Sequence, residues 1–148
     1  MYVVASDHGG FELKEAILAL LKERGIEHKD MGPVNLDSVD YPDFGAKVAG
    51  AVSNGDADAG ILVCGTGIGM SIVANKFPRV RAALAHDSFT AQMAKEHNNA
   101  NILVLGGRIV SVAEGVELVK IWLDAEYEGG RHQLRLNKIH QYEQDQTS

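Results

Sequence analysis

The feature that most constrains this chain is a regular alternation of short β-branched runs with longer amphipathic stretches. Tyr2-Val3-Val4-Ala5, Glu27 to Met31, Ile61-Leu62-Val63 ending at Cys64, Val80 to Ala85 and Ile102 to Leu105 read as five strands, the second the weakest. Helical patterns lie between them. Leu13, Ile17, Leu20 and Leu21 recur on one helical face, and Arg24-Gly25 is a plausible stop. Gly32 to Pro42 reads as a loop, with Tyr41-Pro42 at its end; Phe44, Val48 and Val52 mark the next helix. Gly67 to Lys76 and Ser88 to His97 are further helices. Ser111 to Glu114 fits a capping box, opening a helix with Val112, Val116, Val119 and Leu123 on one side. After Gly129-Gly130 a last helix is predicted from Arg131 to about Gln144, followed by a polar end, Gln144 to Ser148, expected to fray. Strand–helix alternation of this kind predicts an open parallel sheet covered on both faces.

The 148 residues fit one domain, read as 1–148 with no internal linker or repeat. A chain of this size buries about two-thirds of its unfolded surface and needs no covalent staple. The single cysteine, Cys64, excludes an internal disulfide and a cysteine-rich zinc site. A net charge of −6 argues against a nucleic-acid partner, so an anionic ligand would need local positive contacts. No apolar run has the length of a membrane span. Residues 1–6 read as a strand, not a signal peptide, and the expected location is the cytoplasm.

In an open parallel sheet, ligands bind outside the carboxyl ends of the strands. Those positions hold Ser6-Asp7-His8-Gly9-Gly10, Cys64-Gly65-Thr66-Gly67-Ile68-Gly69, His86-Asp87-Ser88 and Gly106-Gly107-Arg108. Three glycines leading into a helix leave backbone N–H groups free to converge on an anion or a developing oxyanion. A thiol at the same helix start lies near the positive end of the helix, which favours its thiolate form. A thiolate beside such donors can remove a carbon-bound proton while the donors hold the resulting enediolate oxygen. The plainer alternative for Cys64 is a small buried hydrophobe.

Counting removes three rival loops. A dinucleotide fingerprint would need glycine where Met70 stands, although Asp87 lies about 20 residues on as that pattern asks. No G-x-x-x-x-G-K-[ST] string exists. A phosphatase loop of the form Cys-x5-Arg would need arginine at Met70.

The remaining candidates each have a structural alternative. Asp7-His8 is an acid–base pair at a strand end, or a cap with a solvated histidine. His97-Asn98 offers an acid near neutral pH, or a helix C-terminus with its cap. Tyr41 reads as a loop anchor. Arg131 and Arg135 share one face of the last helix beside His132, which suits phosphate; alternatively they form a solvated face paired with Glu126 and Glu128. Arg108 is a third phosphate candidate or a surface charge. His28, His86 and His140 carry no clear signal, and no metal-ligand spacing appears.

Five strings occur in order: Ser6-Asp7-His8-Gly9-Gly10; Asp40-Tyr41-Pro42; Cys64 to Gly69 with Ala74-Asn75-Lys76; Glu96-His97-Asn98 with Asn101; and Gly129-Gly130-Arg131-His132. Together they resemble the type B ribose-5-phosphate isomerases, within the wider ribose/galactose phosphate isomerase family, over residues 2 to about 143. The resemblance implies a three-layer, Rossmann-like α/β/α sandwich with a five-stranded parallel sheet and a projecting C-terminal helix. It implies interconversion of ribose 5-phosphate and ribulose 5-phosphate, a step of pentose phosphate metabolism, through a cis-enediolate with Cys64 as proton-shuttling base. Gly65, Thr66, Gly67, Ile68 and Gly69 would form the anion hole, with Thr66 orienting the reacting oxygens. His97 would be the ring-opening acid, Asp7 would handle hydroxyl protons, Asn98 would bind substrate and Tyr41 would line the sugar site. His8, Arg108, Arg131 and Arg135 would hold phosphate. The resemblance also implies a homodimer or dimer of dimers, with Arg131 and Arg135 reaching in from the neighbouring chain on a segment from about residue 129. No cofactor and no metal are implied.

Other readings stay open at this stage. One is isomerisation of a hexose 6-phosphate of allose or galactose type. Another is a thiol hydrolase with Cys64 as nucleophile and His97 as base. A third is a non-catalytic sugar-phosphate sensor.

Overall fold

The computed structural model describes residues 1–147; the expected fraying of Ser148 lies outside the described residues. The elements are β1 (Tyr2–Ser6), a 3-10 turn (His8–Gly10), α1 (Phe11–Glu23), β2 (His28–Asp30), α2 (Tyr41–Ser53), β3 (Ala59–Cys64), α3 (Ile68–Ala74), β4 (Ala82–Leu84), α4 (Ser88–Glu96), β5 (Ile102–Gly106), α5 (Val112–Asp124) and α6 (Arg131–Thr147). The five strands pair in parallel in the order β2-β1-β3-β5-β4.

Alternation along each strand builds two cores, one on each face of the sheet. Val4, Ile61, Val63, Leu103 and Leu105 point into one, with Leu13, Ile17 and Leu21 of α1 and Leu118, Val119 and Trp122 of α5. Val3, Ala5, Leu62, Cys64, Ile102 and Val104 point into the other, with Val48, Ala49 and Val52 of α2 and Met70 and Ala74 of α3. The result is the α/β/α sandwich expected.

β1 and β3 are neighbours, but the chain leaves them toward opposite edges of the sheet. Their carboxyl ends therefore flank the switch point, where an open α/β sheet leaves a crevice. Ser6 ends one of these strands and Cys64 the other.

Several boundaries differ from expectation. β2 and β4 are three residues each, because an edge strand is defined only where its one neighbour pairs with it. On the outer side of β4 a side chain replaces a strand: Asn75 Oδ1 accepts from the Ala82 N–H at 2.9 Å and its Nδ2 donates to Ala82 O at 3.0 Å. α2 begins at Tyr41, so Tyr41 and Pro42 belong to the helix and not to the loop. Proline is tolerated there because first-turn N–H groups have no intrahelical partner. The buried stripe of α5 is Gly115, Leu118, Val119 and Trp122, while Val112 is exposed and Val116 and Leu123 lie at the margin. Gly115 sets that rotation, since a Cβ there would stand 2.6 Å from Leu13. α6 continues past Gln144 to Thr147, with no glycine or proline inside it to stop it. It is the projecting helix: Leu136 is buried, whereas Leu134, Ile139 and Tyr142 are exposed.

Lys14 went unnoticed in the sequence and is fully buried on α1. Its Nζ lies 2.9 Å from both carboxylate oxygens of Asp30 and 2.8 Å from Pro33 O, which anchors the loop after β2.

Candidate active site

The loop after β3 is shaped by its glycines. Gly67 has φ +82° and is the residue before α3, a conformation that side chains rarely adopt. That turn aims the Gly67 N–H at Cys64 Sγ, 3.2 Å away. The thiol is 5% exposed, so the hydrophobe reading holds for its burial but not for its sulfur, which a backbone donor meets. Thr66 Oγ1 accepts from Ile68 N at 3.2 Å. The N–H groups of Thr66 and Gly69 find no partner among the described residues. α3 has only seven residues, so individual N–H donors, more than a helix dipole, supply the positive field.

The neighbouring loops close on this one. Gly107 N donates to Cys64 O at 2.7 Å and Arg108 N to Gly65 O at 2.9 Å, which seats the Arg108 side chain over Gly65. Asp7 N donates to Val63 O at 3.0 Å. Asp7 Oδ1 accepts from Gly10 N at 2.9 Å, so Asp7 does cap the short turn, as the plainer reading had it. A Cβ on Gly9 would sit 3.4 Å from Asp7 Oδ1 and 3.8 Å from Arg108 Nε, so both side chains flank that glycine. Beyond them His8 Nδ1 accepts from Val39 N at 3.4 Å. Tyr41 packs against Gly69: a Cβ there would come within 2.4 Å of its ring. Asp7, His8, Tyr41, Cys64 to Gly69 and Arg108 thus form one cluster at the carboxyl edge of the sheet. His86 is not drawn into it.

The other predicted residues form a second cluster. His97, Asn98, Arg131, His132, Arg135 and Leu136 line a cavity of about 410 Å³. His97 caps the carboxyl end of α4. α4 leads from the end of β4 to the start of β5, so His97 lies at the edge where strands begin. The five residues of β5 rise about 13 Å between that edge and the one holding Cys64. One chain therefore does not bring His97 and Asn98 to Cys64. The resemblance assigned only Arg131 and Arg135 to a neighbouring chain; the topology groups His97 and Asn98 with them. Among the described residues neither arginine forms an ion pair with Glu126 or Glu128.

Sequence reasoning named His132 and Glu128 but gave neither a role in this cluster. The His132 ring stacks on His97 with centroids 4.1 Å apart and planes 18° from parallel. Glu128 Oε1 lies 3.2 Å from His97 Nε2 and 3.6 Å from His132 Nε2. These are metal-capable groups that no short spacing reveals, because His97 is remote from the other two in the chain. A larger hollow of about 770 Å³ lies between α6 and the strand starts, lined in part by Arg79, Arg81, Asn101 and Glu143. No described helix is long and apolar enough to cross a membrane.

Fold and site together define a class: a Rossmann-like α/β/α domain whose switch point carries a cysteine in a loop of backbone donors, flanked by acid, imidazole and guanidinium groups. More particularly, the chain belongs to the Ribose/Galactose Isomerase family, whose profile matches residues 2–139. It is 46% identical over 138 residues to ribose-5-phosphate isomerase B of Escherichia coli K12, covering 93% of each chain. The ribose-5-phosphate isomerase B structure from Clostridium thermocellum superposes with a TM-score of 0.95 at 51% identity, over 98% of this chain and 99% of that one. The Mycoplasma genitalium ribose-5-phosphate isomerase B, solved with bound ribulose-5-phosphate, gives 0.93 at 46% identity over 97% and 95%.

Proposed function

We propose that this protein is an aldose–ketose isomerase that interconverts ribose 5-phosphate and ribulose 5-phosphate, with Cys64 as the base. The observation that carries the reading is the Cys64 to Gly69 loop at the switch point, where the Gly67 N–H meets the cysteine sulfur and the Thr66 and Gly69 N–H groups stay unpaired. In the open-chain aldose, Cys64 takes the C2 proton, leaving a cis-enediolate. The free N–H groups of Thr66 and Gly69 hold its oxygen, and the Thr66 hydroxyl orients the reacting oxygens. Returning the proton at C1 yields the ketose. Asp7 moves hydroxyl protons, and Tyr41 walls the sugar on the side of Gly69.

The phosphate ligands are His8 and Arg108 from one cluster and Arg131 and Arg135 from the other. His97 and Asn98 travel with the two arginines. Because the clusters lie at opposite sheet edges, the working site is built from two chains, and the protein acts as a homodimer or a dimer of dimers. Apolar side chains beside the two clusters suit that contact: Ile68 and Ile72 of α3, Ile109 and Leu134 are all exposed. No metal or cofactor takes part in this mechanism, and the cytoplasm is the expected compartment.

The test is the initial rate of ribulose 5-phosphate formation from ribose 5-phosphate by purified protein, beside allose and galactose 6-phosphates. A pentose rate well above both hexose rates supports the assignment. Turnover of a hexose phosphate alone moves the protein to the other branch of its family. Binding without turnover of any sugar turns the reading into a sensor.

A further inference from the structure

We propose that Glu128 is the positioning residue for His97: its carboxylate accepts the Nε2 proton, which leaves Nδ1 as the atom through which His97 exchanges protons with the sugar. The inference rests on the ring-opening role given to His97 above. Four observations support it. Glu128 Oε1 is 3.2 Å from His97 Nε2, a close contact that lies off the hydrogen-bond line in this structure and tightens into alignment when substrate closes the site. The Glu128 backbone N–H donates to Glu96 O at 3.0 Å, which ties residue 128 to the residue preceding His97. The His132 ring, 11% exposed, covers one face of His97 and prevents it from tilting. Gly129 and Gly130 have φ of +67° and +57° with nothing near a built Cβ, so glycine serves the turn there and not the packing. That turn lets Glu128 and His132 meet the same ring from either side of the bend.

A carboxylate only accepts, so a hydrogen bond between the two side chains requires the proton on Nε2. The neutral ring is then held as the Nε2–H tautomer. In the imidazolium, Nε2–H stays on Glu128 and the Nδ1 proton is the one given away. During ring opening the bond from C1 to the ring oxygen breaks. The ring oxygen gains the Nδ1 proton, and the C1 hydroxyl loses its own to Asp7 as the carbonyl forms. The ligand atoms of His97, Glu128 and His132 all lie within 4.8 Å of one another and resemble a cation site. Rings stacked this nearly parallel have planes that meet only far beyond metal-ligand distance, however, and Arg131 and Arg135 line the same cavity, so the arrangement suits a carboxylate–imidazole pair better than a cation.

The test uses the fact that ribulose 5-phosphate has no free 5-hydroxyl with which to close a furanose ring. In the full-length protein, Glu128→Ala should slow ribose 5-phosphate turnover by about 10- to 100-fold, the range expected when a proton-transfer group loses its orientation. Exchange of a C1 hydrogen of ribulose 5-phosphate with heavy water needs no ring opening and should stay near the wild-type rate. Glu128→Gln keeps an acceptor oxygen and should recover most of the aldose rate. Imidazole nitrogen NMR should show His97 as the Nε2–H tautomer in wild type and Glu128→Gln, and as a mixture in Glu128→Ala. Loss of both reactions together, loss of neither, no recovery with Gln, or a tautomer unchanged in Glu128→Ala overturns the proposal. A wild type without isomerase activity would sink the functional reading instead, and the NMR arm would still decide the Glu128–His97 pairing.

Discussion

Cys64 and His97 stand at opposite edges of one parallel sheet. Cys64 is in register with Gly106 at the end of β5, and His97 precedes the start of β5 at Ile102. Two inactive variants should therefore complement each other. In a dimer of Cys64→Ala with His97→Asn, one site carries both lesions and the other carries none. Equal mixing and random pairing should restore about a quarter of wild-type activity, as expected for a two-fold interface. Mixed refolded variants, assayed against each alone, provide the measurement; no recovery means that a single chain makes the site.

Cys64→Ala by itself should lower the rate by about 100-fold or more, the usual cost of removing a positioned general base. The fold should survive, because Cβ remains and the site is already apolar on its core side. Heavy-water exchange at C1 of ribulose 5-phosphate should fall in parallel, since the same group moves that proton.

Gly69→Ala probes the sugar wall. The new methyl would come within 2.4 to 2.5 Å of the Tyr41 ring, which is 37% exposed and free to swing away. Stability should change by less than about 1 kcal/mol, because only a flexible side chain yields. Displacing the wall should cost about 10-fold in kcat/KM, in line with the sensitivity of catalysis to small misplacements. Paired urea melts and steady-state rates separate the two effects.

Acid should loosen α4 through Asp87. The Thr90 backbone N–H and hydroxyl both donate to its carboxylate, holding it below its ordinary value of 3.8. A carboxyl depressed on folding contributes stability that is fully present above 3.8 and is lost as pH falls through the folded value. Asp87→Asn keeps a capping oxygen without the charge. Urea midpoints measured downward through that window should fall more steeply for wild type than for Asp87→Asn.

Much of the fold was legible because the signals are local. Alternation along Ile61 to Cys64 and along Ile102 to Leu105 belongs to the strand itself, as does the helical spacing of Leu13, Ile17, Leu20 and Leu21. The α5 face was misdrawn where a chain-wide constraint intervened: the approach of Gly115 to Leu13 turned Val112 outward and Trp122 in. The strand β4 was overlong for a similar reason, because its outer partner is the Asn75 side chain and not another strand.

The site divides along the same line. Cys64, its glycine loop, Asp7 and Arg108 were readable because each follows a strand, and in a parallel sheet every strand ends at one edge. By itself the sequence determined these residues, the alternation that makes the sheet, and the Ser111 cap that begins α5. Only the tertiary structure decided that His97 lies across the sheet from Cys64, and that Glu128 and His132 converge on its ring. The physical reason is that strand and helix periods relate residues a few positions apart. Crossover direction and strand order alone determine which edge a remote residue reaches and what it meets there.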